Sequence, residues 1–341
     1  MSPSATPPGS APDRPDDPAT GPRCTDDARA SGEPLAGTAP RALGWMLIEV
    51  SGSWGHHALT ESGLDPAVGA ELARRVADLD VKVVLIRRPG RHVRAAGHHR
   101  VILAHTGAQP WLRTTTVPRD TDLLDLDPAL TLQPRPPATT DPTDPLDPEA
   151  GGPIGFEPLA GPLWLVCTHA RRDRCCASYG RPVADTLAAL HPDTTWEVSH
   201  IGGHRFAANL LTLPTGLTFG GLDVTTAATV VAALETGSID LTALRGRTGA
   251  SREAQAAEIA ARHHLGVAAL DIEVQVTGPH DPPDAADDGG PAGSWRVRLG
   301  DHHLDVEVAR APLGRPRQLS CDAGAPEDPA GIVVRGVSER H

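Results

Sequence analysis

Two short segments hold most of the soft-ligand chemistry of this chain. The first runs Cys167-Thr168-His169-Ala170-Arg171-Arg172-Asp173-Arg174-Cys175-Cys176, and the second Ser199-His200-Ile201-Gly202-Gly203-His204-Arg205-Phe206. Thiolates and imidazoles are the ligands of zinc and iron–sulfur centres. A His-x3-His pair alone says little in a chain with 16 His. Joined to Cys-x7-Cys behind a neighbouring strand, it makes Cys167, Cys175, His200 and His204 a candidate metal site. Gly202-Gly203 is a poor helix interior; it lets the backbone bend so that both imidazoles face one centre. Plainer roles compete. Cys167 reads equally as a core cysteine, His200 and His204 as structural hydrogen-bonders, and Arg171, Arg172 and Arg174 as a solvated face. Cys176 reads as packing, Cys24 as idle, and Cys321 as remote unless the fold returns it. Structural zinc usually takes a shorter Cys-to-Cys gap. No Cys-x-x-Cys is present, and no Cys-x-x-His follows Cys167-Thr168-His169, so His169 ranks below His200 and His204 as a ligand.

The elements around these segments must bring them together. Leu163 to Val166 is an apolar run ending at Cys167, and Thr195 to Ser199 a second strand ending at His200. Both segments therefore follow strands, which places them at one edge of one sheet, where α/β folds build their sites. Cys175 to Leu190 reads as the helix between. Asn209–Leu213 and Leu217–Phe219 form a hairpin around Pro214-Thr215-Gly216. Helices are expected at 223–235 and 251–264, and strands at 269–277, 294–299 and 303–309. Upstream, strands at 45–50 and 81–87 flank a helix from Pro66 to about Ala77, with Asp65 as its N-cap; a third strand spans 100–104.

Composition divides the chain of 341 residues. Residues 1–40 hold nine Pro and a net charge of -3, and read as a disordered tail. Residues 41–132 form an N-terminal α/β lobe, 133–155 a Pro/Asp-rich linker, and 156–341 the domain with the candidate site. The net charge of -12 belongs to the tail, to residues 119–150 and to the loop 278–291, which together sum to -13. The segment from Cys167 to Arg205 is close to neutral, with Arg grouped beside the candidate ligands. The acidic total opposes a nucleic-acid or anionic-membrane partner. No apolar run approaches a membrane span, and the N-terminus has no apolar signal core, so a cytoplasmic location is expected. Five cysteines are too few for a disulfide scaffold. No P-loop, nucleophile elbow or G-x-G-x-x-G is found, so NTPase, hydrolase and dinucleotide chemistries have no support.

The motifs CTHARRDRCCASYGRP (167–182) and WEVSHIGGHRFAANLLTLPTGLTFGG (196–221), with WMLIEVSGSWG (45–55) and VVLIRRPGR (83–91), resemble the sucrase/ferredoxin-like family. The resemblance implies a thioredoxin-like C-terminal domain beside a second, smaller α/β lobe. It also implies a [2Fe–2S] cluster held by two Cys and two His, which carried over are Cys167, Cys175, His200 and His204. One departure is visible: relatives often have Gly after the second ligand cysteine, and Cys176 stands there. On this reading the protein is a ferredoxin-like electron carrier rather than a catalyst, working with a redox partner protein. Replacing two thiolates by neutral imidazoles brings the oxidised cluster from about -2 to about 0 and raises its potential. Nearby Arg side chains favour the reduced state further. The alternatives are a structural zinc module on the same ligands, or a thiol-based redox enzyme using Cys175 or Cys176.

Overall fold

The computed structural model describes residues 23–90, 98–134, 155–278 and 293–340. A short helix α1 (Cys24–Ala30) precedes β1 (Gly44–Glu49), whose six residues are almost wholly buried. Helix α2 (Pro66–Arg75) follows; the Asp65 carboxylate accepts from the amides of Ala67 and Val68, and Pro66 occupies the first turn. Then come β2 (Val81–Arg87), β3 (His99–His105), β4 (Trp111–Val117) and the two-residue β5 (Glu157–Pro158). The second run is β6 (Leu163–Cys167), α3 (Arg174–Leu190), β7 (Thr195–Val198), β8 (Leu210–Leu213) and β9 (Leu217–Phe219). It continues through α4 (Val224–Glu235), β10 (Leu244–Arg247) and α5 (Arg252–Leu265). Strands β11 (Val274–Thr277), β12 (Gly293–Leu299), β13 (His302–Pro312) and β14 (Ala330–Glu339) close the chain.

The architecture is mixed α/β, built on a ten-stranded sheet in the order β10-β9-β8-β6-β7-β2-β1-β3-β4-β5. It contains one topology twice. In each half a strand, a helix and a parallel strand are followed by two antiparallel strands: β2-β1-β3-β4 in the first, β7-β6-β8-β9 in the second. The equivalent strands β2 and β7 pair antiparallel, Ile86 opposite Val198 and Arg87 opposite Glu197. The lobes expected on either side of the linker are thus joined in one sheet, and one apolar cluster runs beneath the seam. Trp45, Leu47 and Ile86 from the first half pack there with Leu165, Trp196 and Leu211 from the second. Each such fully buried side chain contributes about 1.5–3 kcal/mol of transfer free energy.

The last four strands form a separate antiparallel sheet, β11-β12-β13-β14, packed on α5 through Trp295, Val297, Leu304 and Val306. The expected strand at 269–277 is shorter, Val274–Thr277. Residues 23–40 differ from the expected tail. A seven-residue helix is not stable alone, but α1 is held by tertiary contacts. Cys24 and Ala28 are buried, Arg29 donates to the Ala207 carbonyl at 2.9 Å, and Thr25 Oγ1 donates to the His204 carbonyl at 3.1 Å. The rest of the expected tail (1–22), most of the linker (135–154) and the acidic loop (279–292) lie outside the described residues. No helix among the described residues is long and apolar enough to cross a membrane.

Candidate metal centre

Parallel pairing of β6 with β7 sets Cys167 opposite Val198, so the two chemistry-bearing segments leave the sheet at the same end. Cys167 closes β6 with its amide on the Asn209 carbonyl, 3.0 Å away. The chain then turns through His169, whose carbonyl accepts from the amides of Arg172 and Asp173, and Asp173 caps α3 by accepting from the Cys175 amide at 2.8 Å. Successive residues on a helix point about 100° apart, and Cys175 and Cys176 enter different environments. Cys176 packs with Cys167; Cys175 packs with Cys24 and Ala207.

The first group is Cys167, Cys176 and His200, whose ligand atoms lie within 4.8 Å of one another. The hydrogen bond between Cys167 and Cys176 pulls Cys167 well below the ordinary thiol range and, with burial, pushes Cys176 well above it. His200 and His204 lie beside each other, ring centroids 5.4 Å apart and planes tilted by 31°. The left-handed Gly202 (φ +97°) and Gly203 (φ +74°) make the turn that brings His204 back. A Cβ on Gly203 would stand 2.1 Å from Arg245 Nη2. His204 Nε2 donates to the Leu319 carbonyl at 2.9 Å, which leaves its Nδ1 as a bare lone pair. That atom, and Nδ1 of His200, are buried without a hydrogen-bond partner.

His169 is fully used. Its Nδ1 accepts from the His200 amide at 3.1 Å, so its Nε2 carries the proton and donates to the Gly55 carbonyl at 2.6 Å. Burial lowers its pKa, and Trp54 meets the ring edge-on at 5.9 Å. It is a support for His200 supplied partly by the other half of the sheet.

Sequence reasoning missed Arg245. Its side chain is buried and bonds only neutral acceptors: Thr38 Oγ1 at 3.0 Å, Asn209 Oδ1 at 2.8 Å, the Gly202 carbonyl at 3.2 Å and the Thr38 carbonyl. Burial depresses its pKa to about 9, Arg205 adds to this, and negative charge on Cys167 and Cys176 opposes it. Buried charge without an ionic partner is costly, and negative charge on Cys167 and Cys176 acts to offset it. A lone Arg far along the chain carried no signal of this. Of the arginines that sequence had grouped here, Arg205 is tied to Glu33 at 2.8 Å, Arg172 Nη1 to His56 at 2.9 Å, and Arg171 is exposed.

The second group is Cys24, Asp173, Cys175 and Cys321, again with ligand atoms within 4.8 Å of one another. Cys24, expected idle, is fully buried, and the fold does return Cys321. The loop before β14 docks here: the Cys321 amide and Ser320 Oγ donate to Asp173 Oδ2 at 2.9 and 3.2 Å. Of the four expected ligands, the structure therefore gathers Cys167, His200 and the neighbouring His204, and places Cys175 in the other group.

The close approach of α3 to β6 depends on Gly180, where a Cβ would stand 2.2 Å from the Cys167 carbonyl oxygen. Gly180→Ala is expected to destabilise the fold by about 1–3 kcal/mol, because backbone must shift. Denaturant unfolding checks this, and an unchanged midpoint would contradict the packing.

A family model described as sucrase/ferredoxin-like matches residues 35–246, more than half of the chain. No curated protein and no solved structure matches. The matched span holds Cys167, Cys176, His200, His204 and Arg245 but neither Cys24 nor Cys321, and on the strength of that match the chain belongs to the sucrase/ferredoxin-like family.

Proposed function

We propose that the protein is a one-electron carrier whose [2Fe–2S] cluster is held by Cys167, Cys176, His200 and His204. The observation that carries this reading is the grouping of the Cys167 and Cys176 sulfurs with His200, within 4.8 Å of one another, together with the Nδ1 atoms of His200 and His204, which are buried without partners. Cys176 takes the place that the sequence alone assigned to Cys175, because it is Cys176 that faces Cys167. The order β9-β8-β6-β7, with one helix between the parallel pair, agrees with a thioredoxin-like half.

When bound, the cluster supplies a reversible one-electron couple. The chain's own residues do the rest. The His169–Gly55 contact fixes the backbone of His200, and the Leu319 carbonyl fixes the tautomer of His204. Arg245 holds a positive charge in the low-dielectric interior, favouring the more negative reduced state. Arg171 and Arg172 at the surface suit an acidic redox partner protein. The five cysteines are free, as a reducing, cytoplasmic setting would keep them.

The test is anaerobic purification followed by analysis. A coloured protein with two irons and two sulfides per chain is expected. Its potential is expected to fall as pH rises, since a ligated imidazole can lose its outer proton on oxidation. A flat potential from pH 6 to 10 in a coloured protein overturns the histidine ligation. A second reading, structural zinc, rests on the tight grouping of Cys167, Cys176 and His200. A colourless protein with one zinc bound there would establish it instead.

A further inference from the structure

We propose that Cys24, Cys175, Cys321 and Asp173 form a second metal site, a tetrahedral structural Zn²⁺ centre that ties both flanks of the chain to the start of α3. The argument begins with spacing. A tetrahedral zinc with Zn–S bonds of about 2.3 Å sets its sulfurs about 3.8 Å apart, and a sulfur and a carboxylate oxygen about 3.5 Å apart. The three sulfurs form such a triangle: Cys24 to Cys175 is 3.8 Å, Cys24 to Cys321 is 3.7 Å and Cys175 to Cys321 is 3.3 Å. Asp173 Oδ2 stands 3.6 Å from the Cys24 sulfur, and a carboxylate oxygen of Asp173 lies within 4.8 Å of all three sulfurs. A disulfide would use two of these thiols and leave the third without a role, whereas one ion uses all three.

The surroundings fit a cation. Cys24, Cys175 and Asp173 are fully buried, and Cys321 is half-buried. The Asp173 carboxylate is oriented by the amides of Cys175 and Cys321 and by Ser320 Oγ. Metal-bound carboxylates are commonly fixed in this way. His204 Nε2 lies 3.8 Å from Asp173 Oδ2, and burial holds that imidazole toward its neutral form. Arg174 bonds the Cys321 sulfur and offsets part of the negative charge of three thiolates and a carboxylate. All four residues are hard to explain as packing alone, since a buried carboxylate beside three thiols is costly unless something positive neutralises it.

The site shares no ligand with the proposed cluster, although Asp173 Oδ2 and His204 Nε2 bring the two within 3.8 Å of each other. Cys24 and Cys321 lie before and after the family-matched residues 35–246, so this chain adds them from outside the shared region. Binding of Zn²⁺ would displace the thiol protons, form three Zn–S bonds and one Zn–O bond, and leave all oxidation states unchanged.

Elemental analysis and zinc K-edge absorption of the full chain, purified anaerobically and supplied with one equivalent of Zn²⁺, test the proposal. One zinc with three sulfur neighbours and one oxygen is expected. In chelator competition, Cys24→Ser and Cys321→Ser are each expected to weaken zinc binding by at least about a hundredfold. Failure of the intact chain to take up zinc overturns the site, as does a zinc shell containing histidine nitrogen. A Cys175–Cys321 disulfide in the anaerobic protein overturns it too. The zinc shell of the unaltered chain decides the matter even if a variant does not fold. An iron-free protein with the three-sulfur zinc shell would refute the electron-carrier reading while upholding this one.

Discussion

Cys176→Ser is expected to cost the protein its visible absorption and both irons, whereas Cys175→Ser is expected to keep them and lose zinc. The two cysteines are neighbours, and a reader of the sequence has little reason to separate them. The helix separates them. Each residue of α3 turns about 100° from the last, so the first turn presents Cys176 to Cys167 and Cys175 to Cys24 and Cys321. Removing one of the two proposed cysteine ligands would leave the cluster a thiolate short, and serine is a poor replacement for a soft metal. Iron and zinc analysis of the two purified variants is the measurement. Iron loss in Cys175→Ser, with retention in Cys176→Ser, would reverse the ligand assignment.

Arg245→Met is expected to act twice. It strips donors from Asn209 Oδ1 and from the carbonyls of Thr38 and Gly202, all in buried surroundings. Each acceptor left without a donor costs about 1–3 kcal/mol, so a loss of several kcal/mol follows. The variant also lacks the buried positive charge, so the potential of any cluster it retains is expected to fall. Arg245→Lys keeps the charge but not the fork that reaches four acceptors. It should therefore lose much of the stability while moving the potential far less. Unfolding and potentiometry on both variants separate these effects; an unchanged potential in a folded Arg245→Met would remove Arg245 from the electrostatics of the centre.

Much of the fold was legible because its signals are local. Val81–Arg87 and Leu217–Phe219 fall where the apolar runs put them, and Asp65-Pro66 marks the start of α2 by capping chemistry. Strands β10 and β14 and helix α1, which escaped notice, lack such signals. Strand β10 reads Leu-Arg-Gly-Arg and is defined by its antiparallel pairing with β9. Strand β14 has one buried position, Ile332, and interrupts its pattern with Gly331 and Gly336. Helix α1 is too short and polar to announce itself, and its place is set by contacts with a turn about 180 residues away. The site divides in the same way. The convergence of the two segments followed from two strands and one helix. The partition of Cys175 from Cys176, the return of Cys321 and the burial of Arg245 are long-range facts of packing, which spacing along the chain does not encode.

The seam between β2 and β7 has a further consequence. Two copies of one topology meeting through equivalent antiparallel strands is the arrangement of a symmetric dimer, here written into a single chain. The strand edges that separate copies would expose to other chains are used up internally. The first copy also acts as a subunit would at a shared site: Gly55 and Trp54 reach across to His169, which in turn holds His200. In two free subunits that contact would weaken on dilution. In this chain the partner is always present at high effective concentration, so the support behind His200 persists however scarce the protein becomes.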